Sequence, residues 1–146
     1  MRQSLLAPLS MPGPTRSFDG LDDQTWGARL QPDSNGDVGP NHFVQGINMA
    51  LGVYDKSGNL ITAVTLNDWW YQPAQTTACY TKKHIGDPIV VYNYLADRWA
   101  VIDIAIENWN PGPMWLCLAV SMSGDPVSGG WWFYAFNPDP TKTYMF

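Results

Sequence analysis

Pro88-Ile89-Val90-Val91-Tyr92, Arg98-Trp99-Ala100-Val101-Ile102-Asp103-Ile104-Ala105-Ile106, Met114-Trp115-Leu116-Cys117-Leu118-Ala119-Val120-Ser121-Met122 and Trp131-Trp132-Phe133-Tyr134-Ala135-Phe136 follow one another with turn-forming stretches between them. The connectors are Asn93-Tyr94-Leu95-Ala96-Asp97, the Pro/Gly-containing stretch from Asn108 to Pro113, and the stretch after Met122 that opens with Ser123-Gly124-Asp125-Pro126. β-Branched and aromatic residues crowd the four runs and turn formers separate them, which predicts four antiparallel strands, the unit of a propeller blade. Upstream, His42-Phe43-Val44-Gln45-Gly46-Ile47-Asn48 alternates roughly. Ala50-Leu51-Gly52-Val53-Tyr54 then enters the turn Asp55-Lys56-Ser57-Gly58-Asn59, and Leu60 to Leu66 leaves it, so a hairpin is expected there. The reading is an all-β chain of antiparallel, β-propeller-like sheets, about two blades, with a β-sandwich as the alternative that fits the same spacing. Residues 1–30 are an extended lead-in, residues 31–146 form the β domain, and residues 67–87 are read as a loop between the two strand sets.

Composition agrees with this class. The 146 residues are 45% apolar, 14% aromatic and 14% charged, with 13 Gly and 12 Pro, so neither disorder nor long salt-bridged helices are favoured. Twelve of the 13 acidic residues are Asp and only Glu107 is Glu; Asp favours turns and caps where Glu favours helix interiors. Eight Lys and Arg against 13 Asp and Glu leave a net charge of -5, and the basic residues are scattered apart from Lys82-Lys83. A phosphate backbone would find little to bind, which argues against nucleic acid, and no apolar run reaches the ~18 residues of a membrane span.

Cys79 lies in a polar stretch and Cys117 in an apolar one, 38 positions apart, a spacing outside the CxxC redox and zinc patterns. Composition leaves a bridge and two buried thiols both open. A bridge would contribute about 3–4 kcal/mol on the chain-entropy account and would place the chain in an oxidising compartment.

The stretch Gln31-Pro32-Asp33-Ser34-Asn35-Gly36-Asp37-Val38-Gly39-Pro40-Asn41-His42-Phe43-Val44-Gln45, with Tyr54-Asp55-Lys56-Ser57-Gly58-Asn59, resembles the opening of a β-propeller-like domain found in uncharacterised secreted bacterial proteins. Gly86-Asp87-Pro88-Ile89-Val90-Val91-Tyr92, Ala96-Asp97-Arg98-Trp99 and Cys117-Leu118-Ala119-Val120-Ser121 extend the resemblance over roughly residues 17–136. It implies an extracellular or periplasmic protein, a disulfide between Cys79 and Cys117, and further blades beyond the two that this length holds. Two blades would leave apolar faces and strand edges bare, so association with copies of the chain or with the remaining propeller blades is expected.

Three kinds of site follow from residue chemistry. Asp33, Asn35 and Asp37 place oxygens at alternate positions around Gly36, a pattern that wraps calcium and that also makes an ordinary Asx turn. Asp87, Asp97, Asp103 and Glu107 are candidate acids for carboxylate-pair hydrolysis of a glycoside, set against structural roles in turns. Neither His42 nor His84 has a carboxylate or second ligand at diagnostic spacing. Trp69, Trp70, Tyr71 and Trp109 stand in loop-like segments, where a flat ring could stack on a sugar, whereas Trp99, Trp115, Trp131 and Trp132 are read as core. The function expected is a secreted noncatalytic binding or assembly module that recognises carbohydrate, with a secreted carbohydrate-active hydrolase as the alternative.

Overall fold

The strand set quoted above folds as one sheet. A computed structural model describes residues 13–27, 31–72, 76–81, 83–107 and 112–138. The first sheet comprises β1 (Asn35–Val38), β2 (His42–Ile47), β3 (Ala50–Asp55) and β4 (Leu60–Thr65); the second comprises β5 (Lys83–Asn93), β6 (Arg98–Ile106), β7 (Met114–Ser121) and β8 (Trp131–Phe136). Both are antiparallel, and in each the spatial order is the chain order. Among the described residues no strand passes from one sheet to the other, so the topology is two successive antiparallel meanders, an arrangement common to propeller-like blades and to a two-sheet sandwich. The described helices are too short to cross a membrane.

The turns explain the Asp excess. Asp55 Oδ1 accepts the backbone N–H groups of Ser57 and Asn59, at 2.8 and 2.9 Å, and closes the β3–β4 hairpin. Asp125 does the same between β7 and β8, taking Val127 N–H at 2.8 Å and the Ser128 hydroxyl at 2.6 Å. The Ser128 hydroxyl is the largest influence holding the Asp125 carboxyl below its ordinary range.

The stretch read as a loop, residues 67–87, contains more structure than its sequence suggests. Thr65 caps a short helix, α1 (Leu66–Trp70): its hydroxyl accepts Asp68 N–H at 3.1 Å and donates to Asp68 Oδ2 at 2.7 Å. Leu66 and Trp70, four residues apart, both point into the core. A 3-10 turn follows at Ala78–Thr81, and β5 begins at Lys83, five residues before Pro88. The early part of β5 escapes periodicity because its register breaks between His84 and Gly86 and again between Gly86 and Ile89. Gly86 has φ +112, and a Cβ there would run into the Asn48 side chain. Asn48 is buried at the β2–β3 turn, donates to Gln31 O at 2.7 Å and accepts Asp87 N–H at 2.7 Å, so it ties the bulge to the first sheet.

Alternation decides what each sheet presents. Val44, Leu51 and Val53 of the first sheet and Val90, Trp99, Val101 and Ala119 of the second form the buried core between the sheets. Trp99 is fully buried, with its indole N–H donating to Gly124 O at 3.0 Å. Trp115 and Trp131 pack against this core as expected, whereas Trp132, one residue out of phase with Trp131, is 45% exposed and is not a core residue. Within the described part of the lead-in, residues 13–27 contain no strand; Phe18 instead lies on the outward face of the first sheet, 5.9 Å from Phe43 and 5.2 Å from Tyr54 between ring centroids.

Candidate functional site

The Asn35 and Asp37 side chains fasten the two sheets together, while that of Asp33 is held within the first. Asn35 Oδ1 accepts Val90 N–H at 2.9 Å while its amide donates to Pro88 O. Asp37 Oδ2 accepts Tyr92 N–H at 2.8 Å, and Asp33 Oδ2 accepts from the Asn48 amide at 2.9 Å. The alternate spacing that suggested calcium is thus the strand period that lets Asn35 and Asp37 reach alternate residues of β5. Asn35→Ala is expected to cost about 1–3 kcal/mol by leaving the Val90 amide without an acceptor, read as a lowered urea midpoint. Chelator is expected to leave the melting temperature of the unaltered chain unchanged.

The four candidate acids have four different surroundings. Asp87 and Asp97 are exposed, with left-handed backbones at φ 53 and φ 52, towards opposite ends of the β5–β6 hairpin. Asp97 accepts from the Tyr92 hydroxyl. Glu107 is exposed at the far end of β6, nine residues from Arg98 and thus roughly 30 Å along the strand direction. Asp103 is fully buried. The structure does not gather Asp87, Asp97 and Glu107 around Asp103 as a solvent-facing carboxylate pair.

Asp103 instead faces a partner that residue spacing hid. His84 Nδ1 lies 2.7 Å from Asp103 Oδ2, and His84 Nε2 lies 2.9 Å from Cys79 O. The partner is 19 positions away, on the neighbouring strand, at no spacing diagnostic in the sequence. A carbonyl oxygen only accepts, so Nε2 carries a hydrogen, and one further proton is shared between Nδ1 and Oδ2. Burial pushes the Asp103 carboxyl up to about 6, against the opposing pull of His84 and then of the Trp70 indole. Trp70 covers the imidazole, with the rings stacked 5.2 Å apart at 4°.

Cys117 pairs with Asp103 across β6 and β7, and its sulfur is bonded to Cys79. The disulfide implied by the resemblance is therefore present, beside the His84–Asp103 pair. His84, Asp103 and Cys117 offer ligand atoms within 4.8 Å of one another, but the Cys117 sulfur is committed to the disulfide. The cluster is a buried structural knot joining β5, β6, β7 and the 3-10 turn.

A concave feature lies elsewhere. A groove of about 720 Å³ opens between the sheets, with Val44, Leu51 and Val53 on one side and Val101 on the other. Trp69, Trp131 and Phe133 form an aromatic wall: Trp69 meets Trp131 edge to face at 5.1 Å and 84°, and Phe133 at 5.7 Å and 67°. Thr62, Gln72, Thr76 and Thr77 add polar groups. The three adjacent rings expected to face a ligand thus separate. Trp69 enters the groove, Trp70 is wholly buried against His84, and Tyr71 is exposed and stacked on Tyr80 at 4.8 Å. Helical geometry causes this, because successive residues point about 100° apart. Trp109 lies outside the described residues. Sequence reasoning assigned Trp131 to the core and missed its share in the groove; only its phase with Phe133 on β8 signals a common face.

The fold and groove define an all-β chain of two meander sheets with an aromatic cleft between them. No protein-family model, curated protein or solved structure matches the chain.

Proposed function

We propose that this chain is a noncatalytic module of a secreted protein that binds a glycan in the groove between its sheets and assembles with copies of itself or with further blades. The observation that carries the binding half is the aromatic wall of Trp69, Trp131 and Phe133 in a groove of about 720 Å³. That size and that mixture of flat apolar rings with a few polar groups suit a small carbohydrate, whose C–H face packs on aromatic surface while its hydroxyls reach amide and hydroxyl side chains. Gln72, Thr62 and Thr76 are the groups available to those hydroxyls. The disulfide supports an oxidising compartment and hence secretion. The resemblance to a propeller-like domain of secreted bacterial proteins is in keeping with the chain-order topology of both sheets. The dispersal of the candidate acids favours binding over hydrolysis.

Calorimetric titration of soluble oligosaccharides into the protein tests the reading. One glycan class is expected to bind without being cleaved, and Trp131→Ala, checked for an intact fold by circular dichroism, is expected to weaken binding by roughly tenfold or more. Equal affinity in the folded Trp131→Ala protein would remove the groove as the site. Release of reducing sugar would restore the hydrolase.

A further inference from the structure

Three successive rows on the outward face of the second sheet are apolar. The pairing register aligns Val91, Ala100, Val120 and Trp132 across the four strands. Two residues further along β6 it aligns Ile89, Ile102, Leu118 and Tyr134. A third row runs from Ile104 through Leu116 to Phe136. These rows contain no ionised side chain, and Ile89, Phe136 and Val91 leave 54%, 50% and 48% of their surface in water. The first sheet is treated differently: Phe18 covers Phe43 and Tyr54 on its outward side. Among the described residues nothing comparable lies over the second.

We propose that this face is where a second copy of the chain docks, sheet against sheet about a twofold axis, an inference that rests on the assembly half of the proposed function. Four strands about 4.8 Å apart and rows spanning about 20 Å give a flat footprint of roughly 400 Å² per copy. Two such faces cover roughly 800 Å² as flat area and more as accessible surface, because bulky side chains stand proud of the sheet, which reaches the ~1,000 Å² that marks a specific interface. Charge selects the partner. The chain carries -5, and this broad uncharged face is a surface on which two copies can meet without setting like charges against each other. A basic or acidic partner would find nothing in these three rows to pair with. Face-to-face packing of twisted sheets at ~10 Å is also the geometry in which the bulky rows of one face can interdigitate with the same rows of another.

Sedimentation velocity of the full chain over the micromolar range, with the disulfide intact, is the test. A dimer is expected, and Tyr134→Lys and Ile89→Lys, both at solvent-exposed positions, are expected to raise its dissociation constant by roughly tenfold or more while glycan binding in the groove persists. Methyl resonances of Ile102 and Leu118 in the unaltered protein are expected to shift on dilution as the mass falls, a readout that needs no variant to fold. A dimer that ignores both substitutions, or dissociates without moving those methyls, would overturn the face while leaving assembly through another surface. A monomer throughout the range would overturn both.

Discussion

Replacing His84 with alanine is expected to destabilise the protein by about 3–5 kcal/mol, the range for removing one member of a buried ion pair. That is a large share of the ~5–15 kcal/mol of a typical domain. Three effects combine. The Asp103 carboxyl loses the proton it shares at 2.7 Å, Cys79 O loses its donor at 2.9 Å, and Trp70 loses the ring on which it stacks. Asp103→Asn is a gentler change, because an amide N–H can donate to Nδ1 of an imidazole whose Nε2–H still serves Cys79 O. It also removes a pH dependence of known sign. The folded carboxyl, raised by burial to about 6 from an ordinary 3.8, binds more protons than the unfolded one between those values. With the charge on His84 held constant, its contribution is complete below pH ~4 and falls away as pH rises through ~6. Urea unfolding at both ends of this window, compared between the unaltered protein and Asp103→Asn, isolates the effect from the exposed acids, whose titration the two share. A pH profile identical in the two proteins would contradict the buried pair.

Removing the disulfide with the double substitution Cys79→Ala and Cys117→Ala is expected to lower stability by about 4 kcal/mol, from the entropy of a loop closed across 38 positions. The effect will not add to that of His84→Ala. Cys79 supplies the carbonyl that His84 uses, and Cys117 stands opposite Asp103, so the two changes act on one cluster and their sum is expected to exceed the loss in the combined variant. A double-mutant cycle by urea unfolding measures the difference; strict additivity would mean that the disulfide and the ion pair are energetically separate.

The strands from Arg98 to Phe136 were legible because each side chain's phase is local: β-branched and aromatic runs end at Asn, Pro, Gly and Asp. The Asp-rich turns were legible for the same reason, since Asp55 and Asp125 reach only a few residues ahead. The short helix at Leu66–Trp70 was hidden because it ends in two adjacent tryptophans that read equally well as loop, and the two register breaks in β5 concealed its first five residues. The candidate site was legible only in part. Trp69 was named, but its partners Trp131 and Phe133 come from a strand more than 60 positions away, and local phase cannot say which strands will face each other.

What the sequence determined by itself is the all-β class, the chain-order hairpins and the place of the Asp residues, because these depend on the periods of single strands and the geometry of single turns. The tertiary structure decided which side chains meet. Asn35 reaches Val90 across 55 positions, His84 reaches Asp103 across 19, and the groove and the bare outer face exist only once two sheets have packed on one side and not the other. Those outcomes follow from burial and register between distant segments, where the gain of excluding water from one face settles which of several locally equivalent arrangements forms.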